Sequence, residues 1–148
     1  MTTASPRWQR AGSASEGVVT GAPRQWLGIE GLVLLAGALI AYGVLGQPWW
    51  IVPAGILVPD LAAGGYAAGA RPGAHLYHLA HATPLPAVLL GVGYWQSDRL
   101  AMAVALVWLA HIGLDRLLGM GLKYSDRFAH THLGDHLDAR GTRGGPPP

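Results

Sequence analysis

The run Leu32-Val33-Leu34-Leu35-Ala36-Gly37-Ala38-Leu39-Ile40 carries no charged side chain and forms the uninterrupted centre of an apolar segment from about Leu27 to Gly46. About 20 residues rising 1.5 Å each cross the roughly 30 Å hydrocarbon core of a bilayer, so this segment reads as a transmembrane helix. Three more segments of similar length follow, from about Trp50 to Gly69, His75 to Trp95 and Leu100 to Gly119. Trp49, Trp50, Tyr94 and Trp95 fall at their ends, where amphipathic rings favour the headgroup level. The expected fold is therefore all-α, an integral membrane bundle of four transmembrane helices.

Composition supports lipid as the solvent. Of 148 residues, 51% are hydrophobic and 12% charged, about half the roughly 25% charged share of ordinary soluble domains. The net charge is +2, and the Arg residues sit in tails and short connections with no basic stripe, which argues against nucleic acid as a partner. There is no Cys, which excludes disulfides, thiolate metal sites and Cys nucleophiles. Residues 1–25 and 135–148 are poor in large apolar residues and read as disordered tails. Residues 26–134 then form the membrane domain with a short C-terminal extension.

Prolines shape two of the segments. Pro59 frees the carbonyl of Gly55 and places a bend just before Asp60, while Pro84 and Pro86 free the carbonyls of Ala80 and Ala82 and kink the third segment. A helix starting at Pro84 is too short to span, so the third span extends back through His75, with a re-entrant or interfacial segment as the alternative. Arg7, Arg10, Arg24, Arg71, Arg116, Lys123 and Arg127 flank one side of the spans, and Arg99 alone lies on the other. By the positive-inside rule the chain is a multi-pass protein of the cell membrane with both termini cytoplasmic. Gly65 with Gly69, and Gly37 with Ala41, are small-residue pairs that suit a compact bundle or a homo-oligomer.

Ionisable residues inside a bilayer cost roughly 2.5–3.5 kcal/mol each on insertion scales, so each asks for a partner or a purpose. Glu30, Asp60, His78, His81, His111 and Asp115 all fall in the cytoplasmic half of the expected bundle, at depths that permit contact. His111 and Asp115 share a helix face at i,i+4, as do His78 and His81 at i,i+3, with Tyr77 one turn before His81. Imidazole and carboxylate groups facing one another inside a bundle are common ligands for zinc and similar divalent metals. The ligands expected are His81, His111, Asp115 and His132 from the extension after the fourth span. Asp60 is expected to act as a further ligand or as a general base. Each of these side chains has a plain structural reading as well, since a membrane His can simply hydrogen-bond to a neighbouring helix, Glu30 can favour a helix N-terminus, and Arg116 can snorkel to the headgroups.

Several strings occur together: Pro59-Asp60-Leu61 with Gly65-Tyr66, then Tyr77 and His81, then His111-Ile112-Gly113-Leu114-Asp115-Arg116, Lys123-Tyr124 and Thr131-His132-Leu133-Gly134. This order resembles the bacterial membrane family catalogued as domain of unknown function 4260, over about Leu27 to Gly134. The resemblance implies a small helical membrane protein and brings no activity. The recurrent polar positions it implies are Asp60, His81, His111, Asp115, Arg116, Lys123, Thr131 and His132. His78 stands where related sequences tend to have Asn.

Three functions remain open on the residues alone. One is a non-catalytic membrane or partner-binding protein whose polar cluster holds the helices together. Another is a membrane-embedded, metal-dependent hydrolase acting on an amphiphile. The third is a small oligomeric, proton-coupled transporter with Asp60 and His111 as a relay. Phosphate-binding loops, nucleophile elbows and His-Glu-x-x-His motifs are missing, which disfavours nucleotide-dependent chemistry.

Overall fold

The computed structural model of the chain describes residues 19, 21–120, 130–131 and 134–135. Five α-helices and one 3₁₀ helix make up almost all of it: α1 (Ala22–Leu45), α2 (Ile51–Gly55), the 3₁₀ helix (Pro59–Ala68), α3 (Ala70–His81), α4 (Pro84–Trp95) and α5 (Arg99–Leu117). Two two-residue strands, β1 (His130–Thr131) and β2 (Gly134–Asp135), pair antiparallel in the C-terminal extension.

The first helix begins at Ala22, a few residues before the apolar segment, because Pro23 suits a first turn whose N–H groups have no helical partner. It ends at Gly46, whose φ of 71° is the left-handed conformation that closes a helix, with its N–H on the carbonyls of Gly43 and Tyr42. Arg99 donates to the Leu45 carbonyl at the same end, placing a cation where the helix dipole is negative. Tyr42, 1% exposed, donates its hydroxyl to the Pro48 carbonyl at 2.7 Å and fixes the turn into α2.

At Pro59 the chain changes pitch. Proline has no N–H to offer the Gly55 carbonyl, and that carbonyl instead accepts from Val58 at 3.1 Å in a tighter turn. The 3₁₀ helix continues this winding to Ala68, and Gly69, at φ 119°, turns the chain back into α3. Here the small residues of the sequence find their use: a Cβ on Gly73 would lie 2.5 Å from Cγ of Tyr66, and one on Gly65 would lie 3.3 Å from Cα of Gly73. Gly65 thus packs against α3. Gly37 has open space around its missing Cβ, so it makes no close approach of this kind among the described residues.

The third apolar segment is not one helix. Ala82 is extended (φ −97°, ψ 140°), and the chain breaks into α3 and α4 there. The two prolines remove the donors that would carry a helix through residues 84 and 86, and α3 is amphipathic, burying Gly73, Ala74, Tyr77 and His81 while Arg71, His75, Leu76 and Leu79 stay exposed. Twelve residues of α4 rise about 18 Å, short of a full crossing. Three described stretches, Ala22–Leu45, Ile51–Ala68 and Arg99–Leu117, are long and apolar enough to cross a membrane.

The last helix is the central pillar, with Asp98 accepting from the backbone N–H groups of Leu100 and Ala101 at its start. Small residues let its neighbours close in: Ala103, Ala105 and Ala110 are fully buried, and Gly113 meets Gly31 of α1 backbone to backbone. Tyr42, Ala38, Leu106, Val107 and Leu109 fill the core between α1 and α5. Gly119, at φ 76°, ends the pillar, with the Met120 N–H on the Asp115 carbonyl and the Gly119 N–H on that of Arg116.

Candidate metal centre

Four ionisable side chains from three elements meet beside these two breaks. Asp60 comes from the first turn of the 3₁₀ helix, His81 from the last turn of α3, and His111 and Asp115 from successive turns of α5. One ligand atom from each lies within 4.8 Å of all the others. His81 Nε2 is 3.3 Å from Asp60 Oδ1 and 3.7 Å from Asp115 Oδ2, and His111 Nε2 is 3.8 Å and 3.7 Å from the same two oxygens.

Those separations come close to the spacing a shared cation needs, three of them slightly beyond it. Ligands about 2.0–2.2 Å from a tetrahedral ion stand roughly 3.3–3.6 Å from one another, whereas direct N–H···O bonds centre near 2.9–3.0 Å. His111 Nε2 is buried and has no hydrogen-bond partner among the described residues. A buried polar atom left in that state costs about 1–3 kcal/mol, so it calls for a partner.

The tautomer of His81 follows from its other nitrogen. Nδ1 lies 2.9 Å from the Tyr77 carbonyl, which only accepts, so Nδ1 carries a proton and donates it. In the neutral ring Nε2 then presents a lone pair to two carboxylates, an unfavourable arrangement unless a proton or a cation stands between them. Metal-binding histidines commonly donate their second ring N–H to a carbonyl in this way. Tyr77 also stacks on the His81 ring, with centroids 3.6 Å apart and planes 11° from parallel, and the His111 ring meets His81 edge-on at 5.0 Å.

Burial is uneven within the group. The side chains of His81, His111 and Asp115 are 4%, 3% and 10% exposed, and that of Asp60 is 50% exposed. Three of the four side chains are enclosed, and the Asp60 carboxylate stands at the open side.

The remaining polar residues lie elsewhere. Glu30 is on the exposed side of α1, next to the Gly31 that faces α5, and stays out of the group. His78 is half-buried on α3 and lines a groove with His75, Leu79 and Pro84. Arg116, beside Asp115, is half-buried. Lys123 and His132 lie outside the described residues, and Thr131 is described only as backbone of β1.

Trp108 gave no functional signal in the sequence. Its indole N–H donates to the carbonyl of Ala80, one of the two carbonyls that Pro84 and Pro86 set free. This bond ties α5 to the chain at His81.

Residues 24–136 match the model of the family described as domain of unknown function (DUF4260). The chain belongs to DUF4260. All four clustered residues, and both proline breaks, lie inside the matched region of the DUF4260 domain. No curated protein and no solved structure matches the chain.

Proposed function

We propose that this protein is a multi-pass membrane metalloprotein whose centre is a divalent ion of the zinc type. His81, His111 and Asp115 are its enclosed ligands, and Asp60 is a further ligand or a general base at the open side. The observation that carries this reading is His111 Nε2, buried with no hydrogen-bond partner among the described residues and 3.7–3.8 Å from two carboxylate oxygens. Two imidazoles and one carboxylate with an accessible fourth side are the donor set of hydrolytic zinc sites, whereas structural sites are closed by four ligands. An ion bound there supplies Lewis acidity. The half-exposure of Asp60 supports it as the acceptor of a proton from a group entering at the open side. The reaction supported is hydrolysis of an amphiphile.

The apolar surface supports lipid as the surrounding solvent. Trp26, Val33, Ile40, Val44, Leu57 and Leu61 all expose large apolar side chains, which suit acyl chains. In this reading α1, α2 with the 3₁₀ helix, and α5 cross the bilayer, while α3 and α4 together make a fourth, broken crossing. Broken helices at membrane depth commonly line polar sites. The Arg and Lys distribution puts both termini in the cytoplasm, and the open face around Gly37 is available to lipid or to a second copy of the chain.

A second reading has one observation in its favour: His81 Nε2 and Asp60 Oδ1 are within hydrogen-bond reach at 3.3 Å, so the group could serve only to hold three elements together. One experiment separates the two. Detergent-purified protein is assayed for bound metal by mass spectrometry and titrated with zinc, beside His111→Ala. The metal reading expects one ion per chain in the native protein and none in the variant. Native protein that arrives metal-free and ignores added zinc would leave the structural reading standing.

A further inference from the structure

A cavity of about 400 Å³ opens between α2, the 3₁₀ helix, the end of α3 and α5. Its walls include Val58, Pro59, Ala62, Ala80, Val104, Val107 and Trp108. The cavity is built from the immediate neighbours of the polar group: Pro59 precedes Asp60, Ala80 precedes His81, and Val107 stands one turn before His111. The Trp108 indole N–H is already held by the Ala80 carbonyl, so the largest ring in the wall turns no free donor into the space.

Depth gives the pair of sites a direction. Along α5, Val104, Val107 and Trp108 occupy the middle of the helix, while His111 and Asp115 lie one to two turns nearer its C-terminal end. If α5 crosses a bilayer, the apolar cavity sits toward the midplane and the His/Asp group toward one interface, whichever way the chain is inserted. A lipid of that leaflet has the same order, with its tail toward the midplane and its ester groups toward the interface.

From this we infer that the cavity holds one acyl chain of a bilayer lipid, with the ester region of the lipid beside Asp60, His81, His111 and Asp115. The assignment rests on the metal-centre reading for what happens at the ester and names its substrate class as a glycerolipid of the host leaflet. A larger apolar groove between α1, α4 and α5, bordered by Val44, Tyr94 and Leu106, has Arg99 at its rim, and the guanidinium of Arg99 is engaged by the Leu45 carbonyl.

The test uses full-length protein in phosphatidylcholine vesicles doped with phosphatidylcholine that carries a photoreactive group on one acyl chain. Labelled peptides are mapped by mass spectrometry, and bound metal is measured on the same samples. Labelling is expected to concentrate on Val58, Val104 and Val107, several-fold above Val44 in the other groove. Val104→Trp and, separately, Ala62→Phe fill the cavity from its outer walls and are expected to cut that labelling about tenfold while metal content stays native. Uniform labelling of all lipid-facing valines would overturn the inference, as would labelling that persists in both filled variants. Metal-free protein whose labelling still concentrates in the cavity would sink the metal centre and leave the acyl-chain site standing.

Discussion

Trp108 and Ala80 are joined by a hydrogen bond from the indole N–H to the backbone carbonyl that α3 cannot use, because residue 84 is proline. The bond lies one residue from His81 and one turn from His111, so its loss is expected to disturb both imidazoles. Trp108→Phe keeps an aromatic ring in the wall and removes only the donor. A buried carbonyl left unpaired costs about 1–3 kcal/mol, and groups that orient metal ligands typically change affinity about 10–100-fold when lost. Zinc titration should show weaker binding by about tenfold, with a lower melting temperature in detergent. Unchanged zinc affinity would mean that His81 is held in place without Trp108.

Gly31 and Gly113 set the distance between α1 and α5. A Cβ on Gly113 would stand 2.6 Å from the backbone N of Leu35 and 2.8 Å from the Gly31 carbonyl oxygen. Backbone cannot swing aside as a side chain can, so Gly113→Ala should destabilise the bundle by about 1–3 kcal/mol, the usual range for overpacking. Gly37→Ala, made in open space on the same α1, is the control and should be near neutral. Thermal unfolding in detergent compares them, and equal melting temperatures for the two variants would contradict the packing described.

Asp98 offers a test at the far end of α5. Its carboxylate accepts from the N–H groups of Leu100 and Ala101 at 3.0 Å each. Asp98→Ala should cost about 1 kcal/mol, the usual loss for an N-cap. His111 begins about 20 Å away along the helix, so zinc binding should be untouched. A variant that loses zinc along with stability would show that the centre depends on the whole pillar.

The sequence groups Asp60, His81, His111 and Asp115 with Glu30, His78 and His132, because carboxylates and imidazoles in apolar segments call for partners. The first four meet, Glu30 and His78 stay outside the group, and His132 lies outside the described residues. The Pro59 and Pro84 breaks were legible for a similar reason, since a missing N–H can be read directly from the chain. What replaced those hydrogen bonds was not legible. Trp108 reaches Ala80 across 28 positions, and no local pattern marks that partnership. Gly31 and Gly113 carry no signal of their own because neither belongs to an i,i+4 small-residue pair, whereas Gly37 does and has open space around it among the described residues. Extending the third span back to His75 assumed that a helix would pass through two prolines. The break at Ala82 instead places Pro84 in the first turn of α4, where its lost donor has no helical acceptor to serve.

The two carboxylates of the centre should respond differently to the same substitution. Asp115 is enclosed on α5, and its Oδ2 is 3.7 Å from both imidazole nitrogens, while Asp60 is half-exposed on a 3₁₀ helix. Asp115→Asn removes a negative charge where little water can replace it, and a buried uncompensated ion site is costly. Asp60→Asn removes one where solvent or a lipid headgroup can take its place. Zinc affinity should therefore fall by about 100-fold or more in Asp115→Asn and by about tenfold in Asp60→Asn, spanning the range expected for an inner and an outer contributor. If Asp60 is the general base, its Asn variant keeps most of its zinc and loses ester hydrolysis, so metal content and turnover separate in this one protein. Equal zinc losses in the two variants would instead make Asp60 a full ligand, and the centre a closed four-ligand site of the structural kind.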